Sequence, residues 1–357
     1  MKILVINPGS TSTKLAIYDG TTQKWCHTIR HSVEELSHFA HINDQLPYRT
    51  ALMHKALSEA GIPVEFDAVI ARGGLLQPTP GGVYEIDSNM IHDLIHAPME
   101  HACNLGALMA HDIASECHVP SFIADPEVVD ELMPEARMSG LPQLPRHSVF
   151  HALNTKAVAR HYAHSIHKPY ESLNLIMVHL GGGISVGAHR KGKVIDVNNA
   201  LDGDGPFSPE RAGTVPAGQL VDLCFSGEYT HKQLKRLLNG KGGLTAHLGT
   251  NDVEMITSRG QAGEEPYKSV LDSMLYTVAK EVGARSVALR GQVDAIILTG
   301  GIAHSQYCVE KLSEWISHIA PIVVRAGEDE LKSLALNAYG ALTGQLPICH
   351  YAPDHLL

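Results

Sequence analysis

Two short stretches carry residue types suited to phosphate: Gly9-Ser10-Thr11-Ser12-Thr13, and Gly181-Gly182-Gly183 followed by Ser185. A chain without Cβ atoms lets backbone N–H groups close around an anion, and nearby hydroxyls add donors. Two further residues with chemical potential end apolar runs. Arg72 closes VIAR ahead of Gly73 and Gly74, where a guanidinium can grip a carboxylate or phosphoryl oxygen bidentately; a structural ion pair is the competing account. Asp125 closes FIAD ahead of Pro126, at the carboxyl end of a buried strand, where open α/β sheets place their chemistry; a turn cap is the competing account.

Ile3 to Asn7 reads as a short buried strand and Lys14 to Asp19 as a half-buried one, so the first stretch is a tight hairpin. The run LIMVHLGGGISVGAHRKG lies over ILVINPGSTSTKLAIYDG without a gap, Leu175 over Ile3, an offset of about 172 residues. Turn chemistry alone explains one glycine-rich hairpin, but duplication at fixed spacing points to one device used twice. A Rossmann loop would have to open a helix, whereas Ile184 to His189 continues as strand. The string GAHRKGKV fits the Walker spacing as far as Lys193 but has Val194 where a hydroxyl is required. Elsewhere the patterns predict helix from about 32 to 61, broken near Pro47, and over 88–97, 101–117 and 150–164. A Gly/Pro-rich loop follows at 202–218, then helix from Gln219 and over 266–289, a strand with a glycine turn over 293–305, a short strand at 320–324 and a last helix from about Asp329.

A chain of 357 residues is too long for one ordinary core, which predicts two domains. The formal charge of -10, from 38 acidic and 28 basic residues, disfavours nucleic acid and anionic lipid as partners. No apolar run is long enough to span a membrane, and MKILVINPGS turns too early to be a signal peptide. Six scattered cysteines without a CxxC pattern predict reduced thiols and a cytoplasmic location. The 23 histidines include His92 with His96, and His161, His164 and His167, at helical spacing, but no HExxH or Cys-His array, so exposed imidazoles are expected rather than zinc.

Together these motifs carry a family resemblance. INPGSTSTKLAIYD resembles the opening motif of the acetate and butyrate kinases, the acetokinase family of the actin-like ATPase superfamily. HLGGGIS resembles its second phosphate loop, and Tyr276 to Ser305 its helix and adenosine loop. HRKGKVIDVNNALDGDGPFSPERAGT is similar to the butyrate branch, and the match covers nearly the whole chain in the family's order. The resemblance implies an α/β fold of two duplicated actin-like (ribonuclease H-like) domains with a nucleotide cleft between them, the first spanning 1–149 plus about 333–357 and the second 150–332. It implies reversible phosphoryl transfer between ATP and butyrate or a similar short or branched acid, giving butyryl phosphate and ADP with Mg2+, in a dimer or larger homo-oligomer. An acetate or propionate kinase is the near alternative, and a non-metabolic actin-like ATPase the distant one.

Position by position, the resemblance makes Arg72 the holder of the acyl carboxylate, Asp125 the catalytic aspartate and His151 the residue that steadies the transferring phosphoryl group. Asn7, Ser10, Ser12, Lys14, His179, Gly181, Gly182, Gly183 and the run Gly300, Gly301, Ile302, Ala303, His304 would line the nucleotide. Asn7 and Glu330 would associate with magnesium, although Asp329 stands one residue away. Acetate kinases carry a second arginine in a TRSGD motif; the equivalent stretch here reads GTVPAG, and Arg211 in SPERAG is the candidate replacement. They also place two valines after the carboxylate-binding arginine, where this chain has Gly73 and Gly74. Together with Met99, Phe150 and Pro209 as pocket walls, this predicts room for a longer acid, each buried methylene being worth about 0.8 kcal/mol. A backbone turn needing glycine is the competing account of the two glycines.

Overall fold

The computed structural model describes residues 1–97 and 100–352, and the chain divides into two compact units. Unit one comprises Met1–Asp130, Ala152–Asn154 and the segment from Asp329 on; unit two comprises Glu131–His151 and Thr155–Glu328. Relative to the expected boundaries, residues 131–149 belong with the second unit, and 152–154 and 329–332 with the first. The backbone of 131–149 explains the first difference, because Met133 N donates to Ile195 O and Ala200 N to Val149 O, both within the second unit.

Unit one is built on β1 (Lys2–Pro8), β2 (Ser12–Asp19), β3 (Thr22–Arg30), β4 (Ala68–Ala71), β5 (Val83–Glu85) and β6 (Ser121–Ala124). Its sheet runs β5-β6-β4-β1-β2-β3, with the short strand Ile348–Cys349 added beyond β5. The apolar run of β1 is buried on both faces. Leu4 and Ile6 pack against Met53 and Leu57 of the helix Leu46–Glu59 and Leu105 and Met109 of the helix Asn104–Cys117. Ile3 and Val5 pack against Leu334, Ala335 and Ala338 of the helix Glu330–Leu342. That is the period-two alternation of a central strand covered by helices on either side.

Unit two repeats the plan with β7 (Asn174–Leu180), β8 (Ile184–Arg190), β9 (Lys193–Val197), β10 (Ala295–Gly300) and β11 (Ile322–Ala326), ordered β11-β10-β7-β8-β9. Ile176 and Val178 face the helices Glu265–Ala288 and Gln306–Ile316, while Leu175 and Met177 face Ala159, Ala163 and Tyr170. In both units an antiparallel hairpin is followed by a third antiparallel strand, and the first strand of the hairpin pairs in parallel with a later one. β7 begins 172 residues after β1 and β8 172 residues after β2, as the gapless repeat predicts. The pairing register departs by one residue. Asn7 lies opposite Lys14, whereas its counterpart His179 lies opposite Ser185 rather than Val186.

The helical stretch expected from about 32 to 61 is interrupted ahead of Pro47 as expected: helix Val33–Ser37 ends, a short 3-10 turn spans Asn43–Gln45, and Pro47 lies in the first turn of the new helix Leu46–Glu59, where its missing N–H has no intrahelical partner to lose. The strand β3 was not anticipated, because its residues are mostly exposed and give no apolar alternation.

Candidate active site

In unit one, four polar side chains converge at the carboxyl ends of β1 and β4 and at the start of Glu330–Leu342. Asn7 Nδ2 donates to Glu330 Oε2 at 2.6 Å, and Arg72 Nη1 lies 3.1 Å from Glu330 Oε1. Arg72 Nε donates to Glu127 Oε1 at 2.5 Å. Attraction to Glu127, and after it Glu330, overcomes the opposing effect of burial and raises the Arg72 pKa well above its ordinary value. Lys14 projects from the same face as Asn7, being its direct cross-strand partner, and is exposed.

Asp329 and Glu330 differ in what they reach. Asp329 Oδ1 accepts from Lys332 N at 3.0 Å and so caps the helix, while Glu330, one residue on, reaches Asn7 and Arg72. Glu127 was not singled out from sequence; nothing in DPEVVDE marks it. Its Oε2 is buried without a hydrogen-bond partner. Asp125 ends β6 with φ +39°, a left-handed conformation that Asp tolerates better than most residues. Its backbone N donates to Gly82 O and its Oδ1 accepts from Gly82 N, both at 2.9 Å, which fixes the carboxylate.

The first loop has Ser10 and Thr11 exposed and Ser12 half-buried. Beneath it lies Arg49, fully buried, whose Nη1 donates to Gly9 O at 2.9 Å and Nη2 to Ser10 O at 3.1 Å. This residue was also missed. The available signal was an arginine at 49 on the stripe formed with Met53, Ala56 and Leu57, a spacing that puts a charge on the buried face of the helix. Nearby, His31 Nε2 sits 2.9 Å from Thr13 Oγ1, and burial, then the Arg49 charge, lowers its pKa to about 4.

In unit two, His151 precedes the helix Ala152–Ser165, and its Nδ1 lies 2.8 Å from Ser185 Oγ. Its ring stacks on His179 with centroids 3.8 Å apart and planes 11° apart. His179 is buried in β7 with Nε2 3.4 Å from Glu328. None of Gly181, Gly182 or Gly183 has a positive φ, so where glycine is required in the second loop the cause is close approach rather than backbone torsion. A Cβ on Gly181 would lie 2.9 Å from His179 Nε2, and one on Gly183 would lie 1.8 Å from Arg211 Nη1. Gly182 has room, with Glu210 3.5 Å away. Ser208 Oγ donates to Gly182 O at 2.6 Å and thereby orients the loop.

Arg211 thus lies directly against the phosphate-type loop of its own unit. Its Nη1 makes a very short hydrogen bond to Ala200 O, its Nε is buried without a partner, and no carboxylate pairs with it among the described residues. Burial lowers its pKa, with Glu210 opposing. Gly300, at φ +86°, ends β10 where a Cβ would strike Leu180 O at 2.4 Å. The turn Gly301–His304 follows, with Gly301 open, Ile302 and Ala303 buried and His304 exposed. Phe150 and Pro209 are buried within unit two. Met99 lies outside the described residues.

The geometry changes the account of Gly73 and Gly74. Neither has a positive φ, and the space a side chain would need is taken. A Cβ on Gly73 would meet Pro126 Cβ at 2.7 Å, and one on Gly74 would meet Leu94 Cδ2 at 2.5 Å and Asn104 Cα at 2.7 Å. The glycines therefore let neighbouring groups come close; by themselves they do not open a cavity for an acyl chain.

Magnesium favours oxygen ligands and is commonly held by one or two carboxylates together with substrate phosphates. Glu127 with its unpartnered Oε2, Glu330 and Asn7 form a donor set of that chemistry. No cluster of three or more His, Cys, Asp or Glu suited to a metal occurs among the described residues, so protein ligands alone would not complete the shell.

Duplicated sheets with this strand order, each carrying a phosphate-type hairpin, define an actin-like kinase fold, and residues 142–326 match the acetokinase family model. The chain is 66% identical over 354 residues to a probable butyrate kinase of Phocaeicola vulgatus, covering 99% of this chain and 100% of the relative. It is 47% identical over 346 residues to butyrate kinase 1 of Clostridium acetobutylicum, covering 96% and 98%. The protein belongs to the acetokinase family. Its fold is shared with the acetate kinase of Porphyromonas gingivalis, at TM-score 0.78 and 19% identity over 96% of this chain and 99% of that one.

Proposed function

We propose that the protein is a butyrate kinase, transferring the γ-phosphoryl group of ATP reversibly to butyrate or a similar short-chain acid to give butyryl phosphate and ADP. It is a carboxylate kinase by family, and the relatives that cover nearly its whole length carry the butyrate name. The observation that carries the residue assignments is the Asn7, Arg72, Glu127 and Glu330 cluster, where a guanidinium held at known geometry faces carboxylates suited to magnesium.

A carboxylate substrate is already an anionic nucleophile near neutral pH, so no general base is needed and catalysis is positioning plus charge stabilisation. Arg72 would exchange one of its carboxylate partners for the substrate's and aim the attacking oxygen. Asp125, fixed by Gly82, would order the groups around that oxygen. Asn7, Ser10, Ser12 and Lys14 in unit one, and His179, Gly181 to Gly183 and Gly300 to His304 in unit two, would hold the nucleotide. His151, its ring fixed by Ser185 and His179, would donate to the phosphoryl group in flight, and Arg211 would supply the positive charge missing from GTVPAG. Magnesium, on Asn7 and Glu330 with Glu127 at hand, would offset charge on the phosphates.

No helix among the described residues is long and apolar enough to cross a membrane, and all six cysteines are free thiols, which supports a cytoplasmic location. The helix Ala217–Phe225 buries none of its residues and leaves Phe225 87% exposed, which supports association with a second copy of the chain. The decisive test traps acyl phosphate with hydroxylamine and compares kcat/KM along the C2 to C5 acids. The expected maximum is at butyrate; a maximum at acetate would overturn the acyl assignment, and acid-independent ATP hydrolysis without trapped product would overturn the reaction.

A further inference from the structure

Among the fully buried side chains Arg49 is the bulkiest, and its environment is unusual for a charge. Nε and Nη2 donate to Gln45 Oε1, Nη1 to Gly9 O, Ser12 O and Thr13 Oγ1, and Nη2 to Ser10 O. Thr11 O accepts from His31 N, so every carbonyl from Gly9 to Ser12 is engaged, three of the four by one guanidinium. The amides of Ser10 and Thr11, both exposed residues, donate to no acceptor among the described residues. Arg49 meets only neutral acceptors, and no carboxylate pairs with it among the described residues. A buried cation without a counter-charge is costly, and the cost falls when an anion settles on the far side of the loop it supports.

We propose that Arg49 is a positioning residue for the nucleotide's phosphates: it draws the carbonyls of the Gly9–Thr13 loop inward, and its unpartnered charge is balanced by the bound phosphate chain. The proposal rests on the reading that this loop binds phosphate. A scaffold that merely held the loop's shape would need the hydrogen bonds but not the net charge, and this difference is testable through Gln45. Gln45→Glu keeps shape and acceptors while giving Arg49 an internal counter-ion.

The experiment measures KM for ATP and for butyrate in the hydroxylamine assay, and the rise in melting temperature produced by ADP in the absence of acid. Gln45→Glu is expected to raise KM for ATP on the order of tenfold, as one neutralised charge near a ligand should. The ADP-induced shift should shrink, the melting temperature without ligand should hold or rise, and KM for butyrate should stay within about twofold. Arg49→Lys, which keeps the charge and loses the fork, should weaken ATP less than Arg49→Met. Ser10→Asp, which places an anion on the exposed side, separates the two levels of the argument. If it raises KM for ATP while Gln45→Glu leaves both KM for ATP and the ADP shift at wild-type values, Arg49 is a scaffold and the proposal is overturned. If Ser10→Asp leaves KM for ATP unchanged, the loop does not hold phosphate, and the reading beneath the proposal is overturned as well.

Discussion

Gly183→Ala tests the role of Arg211 without touching Arg211. The new Cβ would lie 1.8 Å from Nη1, 2.6 Å from Cζ and 3.3 Å from Nε, whereas ordinary contact begins at 3.4 Å. The obstacle is the far end of a flexible side chain, so the guanidinium retreats and the backbone stays. Gly183 has no positive φ, so alanine fits its torsions and stiffens the unfolded chain by about 0.4–1 kcal/mol in favour of the fold. Against that stands the loss of the Arg211 bond to Ala200 O, about 1.5–3 kcal/mol for a charged donor. The net effect on melting is a few degrees at most. If Arg211 stabilises charge in the transition state, its displacement should lower kcat about 10²–10³-fold, the usual effect of one missing preorganised donor.

The assay is kcat for acyl hydroxamate formation at saturating ATP and butyrate, alongside a thermal melt. Arg211→Ala should match Gly183→Ala in kcat, and the double variant should be no worse than either, because both remove the same group. Gly182→Ala, whose Cβ would find Glu210 at an ordinary 3.5 Å, should lose far less. Wild-type turnover in Gly183→Ala would refute the reasoning. So would losses that multiply in the double variant, since the glycine would then act through something other than Arg211.

Three further outcomes follow from the geometry. Glu330→Gln should cut turnover at least about 100-fold and raise the magnesium requirement, whereas Asp329→Asn should cost at most about 1 kcal/mol of stability through the helix cap, measured by urea titration. Gly74→Ala, driven into Leu94 and the Asn104 backbone, should destabilise by about 1–3 kcal/mol on calorimetry without moving the acyl-chain optimum toward acetate. For His31, whose folded pKa of about 4 lies below its ordinary value, the folded state binds fewer protons than the unfolded one. Its contribution to stability is therefore complete above pH ~6.5 and is lost as pH falls from there toward 4; in urea titrations His31→Gln should flatten that part of the profile.

Much of the scaffold was legible because its cause is local. Ile3 to Ile6 and Leu175 to Val178 are apolar runs bounded by turns, and the repeat offset put the second hairpin where the structure has it. The strand β3 was not legible, because an exposed edge strand has no buried face to impose a pattern. At the site, Arg72, Asp125 and Glu330 stand at element ends that the pattern reveals. Glu127 and Arg49 depend on what folds against them, and spacing encodes neither contact. The two glycines after Arg72 illustrate the opposite error. Comparison with valine suggested vacated volume, but only the packing of Leu94, Asn104 and Pro126 shows that the space is filled.

The repeat also shows how one plan came to serve two purposes. Asn7 and His179 occupy equivalent positions, as the matching strand registers require, yet one reaches Glu330 and the other stacks on His151. Arg72 follows Ala71, which pairs with Ile6; the counterpart of Ile6 is Val178, which pairs with Leu298, so Arg72 corresponds to Thr299. Gly73-Gly74 therefore corresponds to Gly300-Gly301, and in each unit a glycine pair leaves the strand at the same point. The first unit places a guanidinium there, the second a hydroxyl bonded to Gly327 O. Each loop has acquired its own arginine, Arg49 beneath the first and Arg211 against the second, from unrelated segments of the chain. Neither arginine has a carboxylate partner among the described residues, whereas Arg72 has two. That contrast fits the proposed division of labour: Arg72 would trade a protein carboxylate for a substrate carboxylate at little electrostatic cost, while the charges of Arg49 and Arg211 would be balanced by an incoming phosphate.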